Sequence, residues 1–297
     1  MNEHDLVPAG ALFLGTSVMT LFLVALAPRL GLVDDASDAR DRKHHVRAVP
    51  LVGGTALALA LLVWVRVEGV DVVGGHVVGG IAFAPRAVVW ALAIAFLTGL
   101  IDDVLPRGLG PIAKITGQAS AGLALAGGLL VDGEHASFTA SALAVLAAIV
   151  AQNAANTFDN ADGALTAVAS VGFVLVSPFV GATLAFLPWC LLRVGGTPIL
   201  RGSGATTPRA WLGDSGSHLL GILLLTTPVA WAALALPLAD LLRVIFVRTR
   251  AGDPIWVGDR RHLAHELQAR GFSPVRVVLV LVALALPCLV LVRVFAA

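Results

Sequence analysis

Charge is scarce in this sequence. Asp, Glu, Lys and Arg make up 13% of its 297 residues, about half of the roughly 25% found in soluble domains. So few charges cannot clothe a water-exposed surface, which excludes an ordinary soluble enzyme and a disordered protein. The net charge is +1, so no global field attracts a polyanion, and a nucleic-acid binder is excluded too. Lysine occurs only as Lys43 and Lys114, leaving eighteen of the twenty positive residues as arginine. The two cysteines, Cys190 and Cys288, both lie in apolar runs. Each reads as a small buried hydrophobe, because a disulfide framework or a metal site would want more ligands. Met1–Pro8 carries Glu3 and Asp5 where a secretory leader would have a basic region, so the first apolar stretch reads as a retained span. No P-loop, G-x-G-x-x-G or G-x-S-x-G signature occurs, which removes the readings those motifs carry.

Apolar residues fill the space that charge leaves: 58% of the chain, with a mean hydropathy of +0.89. The class this implies is all-α and polytopic, a single transmembrane domain over residues 1–297. A bilayer-crossing helix needs about 20 mostly apolar residues. Ten segments qualify: 7–30, 49–67, 86–105, 112–131, 137–157, 161–178, 180–196, 214–227, 228–248 and 274–296. Thr226-Thr227-Pro228 divides the eighth from the ninth; merging those two would invert everything after them. There is no internal repeat.

Orientation follows from the positive residues. Seventeen of the twenty lie in or beside the loops 31–48, 106–111, 158–160, 197–213 and 249–273, and only Arg66, Arg86 and Arg293 lie near the other side. The first set of loops is therefore expected to be cytoplasmic, with both termini on the non-cytoplasmic side. The same side collects the polar runs DDASDARDRKHH, GLIDD, NAANTFDNADG, GDSGSH and GDRRHLAHEL. The span centres read Ala, Val, Leu and Gly, whereas a transporter should carry polar residues through its midplane. The asymmetry points to chemistry at one membrane face.

Each run has a plain reading beside a chemical one. Asp102 and Asp103 end an apolar helix and project roughly 100° apart; they are either a solvated helix end or a pair in which one faces a ligand and the other anchors a neighbouring helix. Lys114 opens the next span, where a cation suits phosphate. Asn153 and Asn156 share a helix face at i, i+3, and amides at the end of an apolar run are costly unless paired or binding something. Asp159 and Asp162 repeat that spacing. These hard oxygens suit Mg²⁺, although Asp162 before Gly163 also suits a helix start. Asp214 or Ser215 makes a natural helix cap, the reading this run carries on its own; the same geometry presents free N–H groups to phosphate, with a carboxylate that could hold a metal against a diphosphate. His262 and His265, beside Arg260 and Arg261, suit a phosphate or uracil-type ligand and lack the third ligand of a zinc site. The basic residues from Arg40 to Arg47 are explained by topology alone.

The order of these motifs resembles that of the polyprenyl-phosphate N-acetylhexosamine-1-phosphate transferases. It is most similar to the bacterial branch that moves GlcNAc-1-phosphate from UDP-GlcNAc to undecaprenyl phosphate. Five elements carry the likeness, from about residue 31 to 273: GLVDDASDARDRKHHVRAVPLVGG, GLIDDVL with Lys114, NAANTFDNADG, GDSGSHLLG and DRRHLAHEL. The resemblance implies ten or eleven spans and an active site facing the cytoplasm of a bacterial inner membrane. It implies Mg²⁺ or Mn²⁺ as cofactor and a UDP-N-acetylhexosamine and undecaprenyl or other polyprenyl phosphate as substrates, and it leaves room for a homodimer. Carried over by motif, Asp102 and Asp103 are the catalytic aspartates, and Asn156 and Asp214 hold the metal. Lys114, Asn153, Asp159, Asp162 and Gly163 line the nucleotide and phosphate pocket, and Arg260, His262 and His265 lie near the sugar nucleotide. Pro50, Gly53 and Gly54 match the start of the second span. Asn160 and Ala164 depart from the usual DGxDGL, and Ala264 interrupts the terminal histidine run, which argues against the muramoyl-pentapeptide branch. The competing readings are a catalytically weakened scaffold in envelope-glycan assembly and a lipid or nucleotide-sugar transporter.

Overall fold

The computed structural model describes residues 3–34, 48–73, 77–78, 81–132, 134–174, 176–195, 206–254 and 261–295. Its helices are α1 (Glu3–Leu30), α2 (Gly53–Glu68), α3 (Pro85–Val104), α4 (Pro111–Gly127), α5 (Phe138–Phe158), α6 (Ala164–Phe173), α7 (Val180–Leu191), α8 (Gly213–Thr226), α9 (Ala235–Ala251), α10 (Leu263–Ala269) and α11 (Pro274–Phe295). A helix lies in each of the ten predicted segments, and α10 is additional. Five stretches are long and apolar enough to cross a membrane: Leu6–Leu30, Pro85–Val104, Phe138–Phe158, Ala230–Ala251 and Pro274–Phe295. Ala164–Phe173 and Val180–Leu191 are shorter apolar helices. The architecture is that of an all-α polytopic membrane protein.

The outside of the bundle is apolar: Leu14, Phe22, Trp90, Leu123, Leu143 and Leu279 are exposed. That pattern suits lipid as the solvent, since no water is needed where every helical N–H and C=O bonds within its own helix. Inside, Trp64, Phe173, Phe179 and Phe186 are buried; Phe173 meets Phe179 edge-on with ring centroids 5.7 Å apart. In lipid, helices associate through close packing, which favours small residues where they cross. Helix α8 shows this on three sides, packing against α2, α3 and α5. A Cβ on Gly99 of α3 would lie 2.3 Å from the Asp214 carbonyl oxygen, and one on Gly54 of α2 would lie 2.2 Å from the Gly216 nitrogen.

Three small antiparallel sheets of two- and three-residue strands accompany the helices. β1 (Val33–Asp34) pairs with β2 (Val49–Pro50). β3 (Val77–Val78), β4 (Ile81–Phe83), β5 (Leu129–Val131) and β6 (Glu134–His135) form one sheet in that order. β7 (Arg193–Gly195) pairs with β8 (Thr206–Pro208). The ends of predicted spans 112–131 and 180–196 therefore belong to strands. Gly127 and Gly128 stop α4, as glycine favours a helix poorly, and the freed backbone groups find partners across a sheet. The junction at Thr226-Thr227-Pro228 does separate two elements: Val229 has φ +64°, and the ninth segment opens as a 3₁₀ turn over Ala230–Leu234.

The sheets mark the two ends of the bundle. The four-stranded sheet joins the α2–α3 and α4–α5 connections. The β1–β2 and β7–β8 pairs lie at the other end, where Leu51 bridges to Trp211. The expectation of charge-free span centres fails in predicted span 228–248, which holds both Arg243 and a buried Asp240. The Asp240 charge is tolerated because His262, Arg243 and the Leu263 N–H all bond to it.

Candidate functional site

The site is built from helix ends. Strand pairing brings Pro50 and Leu51 to Trp211, where Trp211 N–H donates to the Pro50 carbonyl at 2.9 Å. Gly53 and Gly54 N–H groups donate to the Trp211 and Leu212 carbonyls at 3.1 and 2.8 Å. These bonds dock the start of α2 onto the start of α8. Gly213 enters α8 with φ +78°, a conformation open to glycine at little cost. A Cβ there would also lie 2.6 Å from the Asp103 carboxylate.

Asp103 caps α8 from a different helix. Its Oδ1 accepts the Asp214 N–H at 2.8 Å, and its Oδ2 accepts the Ser215 N–H at 3.0 Å and the Ser215 hydroxyl at 2.7 Å. The first N–H groups of a helix have no intrahelical partner and carry partial positive charge, so a carboxylate suits them. Asp102, next along the chain, faces another way. Its Oδ1 accepts the Leu109 N–H at 2.7 Å and its Oδ2 lies 3.3 Å from Lys114 Nζ. Lys114 also pairs with Asp214. The two adjacent aspartates thus divide into a helix anchor and a group facing the cation.

From α5 come Asn153 and Asn156. Asn153 donates to Gln118 Oε1 at 2.7 Å, and the Asn156 amide nitrogen lies 3.3 Å from His218 Nε2. Just past α5, Asp162 accepts the Trp211 indole N–H at 3.2 Å. Burial, with the carboxylates of Asp214, Asp162 and Asp103 nearby, pushes the Asp159 carboxyl well above its usual range. Gly163 precedes α6 with φ +76°. Asp102, Asp103, Lys114, Asn153, Asn156, Asp159, Asp162 and Asp214 therefore gather at one end of the bundle. Two carboxylates, Asp102 and Asp214, meet the one ammonium of Lys114, and Asp103, Asp159 and Asp162 lie at the same end, an excess of hard oxygen that a divalent cation would relieve. Among the described residues no three His, Cys, Asp or Glu side chains form a ready-made metal cage. Mg²⁺ does not need one, because it is commonly held by one or two carboxylates with water and substrate phosphates. The donor set fits on that chemistry, with Asp102 and Asp214 as the carboxylates that already converge on one positive charge.

A second cluster holds the terminal histidines. His262 is buried with Nδ1 3.0 Å from Asp240 Oδ2, and Asp240 Oδ1 accepts the Leu263 N–H at 2.9 Å, capping α10. Arg243 bonds Glu266 at 2.7 Å. The His262 and His265 ring centroids are 6.4 Å apart. Arg260, and the basic residues between Arg40 and Arg47, lie outside the described residues.

Gln118, Gln152, His218, Trp211 and Asp240 are polar partners that motif reading passed over. Only spacing pointed to two of them: Gln118 follows Lys114 by four residues and His218 follows Asp214 by four, one helix face in each case. The three departures are accommodated. Asn160 is exposed and donates to the Thr157 carbonyl, while Ala164 and Ala264 are buried.

No protein-family model matches the chain. Curated relatives do. The undecaprenyl-phosphate alpha-N-acetylglucosaminyl 1-phosphate transferase of Escherichia coli K12 is 28% identical over 315 residues, covering 93% of this chain and 79% of the relative. The decaprenyl-phosphate N-acetylglucosaminephosphotransferase of Mycobacterium tuberculosis is 30% identical over 323 residues, covering 86% and 74%. A Streptomyces coelicolor protein described as a glycosyltransferase is 32% identical over 315 residues, covering 98% and 69%. With these identities running over most of both chains, and four of the five motifs meeting at one end of the bundle, the chain belongs to the polyprenyl-phosphate N-acetylhexosamine-1-phosphate transferase family.

Proposed function

We propose that the protein transfers N-acetylglucosamine 1-phosphate from UDP-GlcNAc to a polyprenyl phosphate, releasing UMP and starting a cell-envelope glycan. The relatives' named activities support the reaction. The observation that carries the site is the convergence of Asp102, Lys114 and Asp214 from α3, α4 and α8 beside the asparagines of α5.

The chain acts as one transmembrane domain whose ten apolar segments all cross a bacterial inner membrane. The arginine distribution supports a cytoplasmic site and non-cytoplasmic termini. The acceptor is a lipid whose phosphate sits at that face.

An acceptor phosphate oxygen attacks the phosphorus that carries the sugar. The new P–O bond forms as the bond to the UMP oxygen breaks, and UMP departs with that electron pair. Positioning and charge stabilisation supply most of the catalysis in such a transfer. Lys114 places an ammonium beside oxygens that gain charge in the transition state. Asp103 fixes the first turn of α8 and so the place of Asp214. Asn153 and Asn156 present amide groups to the nucleotide sugar. Asp102, Asp214 and Asn156 would hold Mg²⁺, which when bound neutralises the diphosphate and makes UMP a better leaving group. His262 and His265 belong near the sugar nucleotide, on a segment that Asp240 ties to α9.

The test is UMP release and lipid-linked product from purified protein in detergent, given undecaprenyl phosphate and a series of UDP-sugars, with and without Mg²⁺. Product from UDP-GlcNAc with Mg²⁺ supports the reading. UMP-free flux of nucleotide sugar across vesicles, or no UMP from any donor, overturns it.

A further inference from the structure

Lys114 and Asp214 form one of two rungs between α4 and α8. One helical turn along each, Gln118 and His218 form the second. The Gln118 amide nitrogen lies 3.4 Å from His218 Nε2. Gln118, Gln152 and His218 are all fully buried. Buried polar groups are retained at a cost of several kcal/mol when unpaired, so the pairing here is informative.

The second rung binds the two asparagines in one sense only. Two amide nitrogens, from Gln118 and Asn156, face His218 Nε2 at 3.4 and 3.3 Å. As these amides are placed both nitrogens donate to Nε2, which puts the proton of the neutral ring on Nδ1, a buried atom with no hydrogen-bond partner among the described residues. Gln118 Oε1 accepts from Asn153 at 2.7 Å, and the Ile149 carbonyl accepts from the same amide at 2.9 Å. Both N–H groups of the Asn153 amide and one of Asn156's are thereby engaged. Neither Oδ1 has a partner among the described residues, and neither is sealed inside the protein.

We infer that Gln118 and His218 are positioning residues, which hold Asn153 and Asn156 by their amide nitrogens and keep both amide oxygens available to the ligand of the site. Two oxygens one helical turn apart then accept from N–H or O–H donors of the nucleotide sugar, or contact its cation. A ring carrying its proton on Nε2 would invert the Asn156 amide and present nitrogen instead. This inference rests on the transferase reading for its ligand.

The test is a double-mutant cycle on the full-length protein, read both as kcat/KM for UMP release and as equilibrium affinity for UDP-GlcNAc with Mg²⁺. His218→Leu removes the acceptor and lowers kcat/KM by about 10–100-fold, the usual loss when a supporting hydrogen bond to a site ligand is deleted. His218→Gln, which restores an oxygen acceptor, recovers most of that loss. In an Asn156→Ala background His218→Leu has almost no further effect, because the group it acts through is gone. Gln118→Leu against Asn153→Ala runs the same cycle and serves if His218→Leu does not accumulate. Losses that simply multiply in the double variants, in activity and in affinity, overturn the inference, since a purely structural histidine would behave that way. Wild-type protein that binds UDP-GlcNAc and shows the cycle in affinity but releases no UMP overturns the transferase reading and leaves this one standing.

Discussion

Ser215 is tied twice to Asp103, by its backbone N–H at 3.0 Å and its hydroxyl at 2.7 Å, both to the same carboxylate oxygen. The carboxylate belongs to the end of α3 and the serine to the first turn of α8, so the bond fixes one helix on the other exactly where Asp214 emerges. Hydrogen bonds to a charged group contribute roughly 1.5–3 kcal/mol each. Asp103→Ala should therefore lower the midpoint of thermal unfolding by several degrees, and activity with it. Ser215→Ala removes one of the three bonds and should cost about a third as much. Differential scanning fluorimetry in detergent checks both; an Asp103→Ala protein as stable as wild type would show that the cap contributes nothing.

Lys114 is, among the described residues, the one cation bonded to both Asp102 and Asp214. Its compact ammonium suits that place, and the wider planar guanidinium does not. Lys114→Met should reduce kcat by about 10²–10³-fold, as loss of one transition-state donor commonly does, with a smaller change in KM. Lys114→Arg should restore little. A Lys114→Met enzyme that changes only KM would place the ammonium in ground-state binding.

Much of this arrangement is legible in the sequence. Apolar segments foretell where the helices lie, and the polar runs that hold Asp102, Asn153, Asp159 and Asp214 do fall at one end of them, because a membrane leaves few positions where charge is tolerated. The split between Asp102 and Asp103 follows from adjacent residues pointing 100° apart. The pairings are not legible. Lys114 meets Asp214, and Gln118 meets His218, across a hundred residues, and such contacts depend on the register of two helices, which local patterns do not encode. His218 sits in a run that reads as the polar start of a helix; only packing by α3, α4 and α5 buries it. Asp240 was hidden for the opposite reason, as a single carboxylate in an apolar span whose partner, His262, lies beyond the loop.

Close helix crossing makes a second kind of prediction. A Cβ at Gly99 would lie 2.3 Å from the Asp214 carbonyl oxygen and 2.4 Å from the Ser215 nitrogen, whereas at Gly10 nothing lies within 4 Å. Gly99→Ala forces α3 away from α8 and should abolish UMP release while sharply lowering the yield of folded protein. Gly10→Ala should leave both unchanged. Equal behaviour of the two, measured by size-exclusion chromatography and turnover, would refute the close packing of α3 on α8.

Removal of divalent cations should stop the reaction. The carboxylates of Asp102 and Asp214 converge on Lys114 without a closed cage, so the cation they would share with a diphosphate is held loosely and exchanges. EDTA should suppress UMP release almost fully, and Mg²⁺ or Mn²⁺ should restore it within the mixing time. Asp214→Asn should raise the Mg²⁺ concentration needed for half-maximal activity by about tenfold or more, as losing one carboxylate ligand weakens a hard-cation site. Full activity in EDTA would remove the metal from the mechanism.

The role of Asp102 is decided by its response to pH. Both of its oxygens are already engaged, one with the Leu109 N–H and one with Lys114, which suits a group that positions rather than one that takes a proton. The acceptor needs no base at neutral pH, because the second pKa of a phosphate monoester is about 6. Wild-type activity should then fall as pH drops through that value, when the acceptor picks up a proton and loses nucleophilicity. Asp102→Asn should lower the plateau and leave the midpoint of the acid limb in place, since the titrating group is on the substrate. If Asp102 were the general base, the variant's activity would instead climb toward wild type as pH rises above 6. Rate profiles from pH 5 to 9 on both proteins, with acceptor saturating, separate the two outcomes.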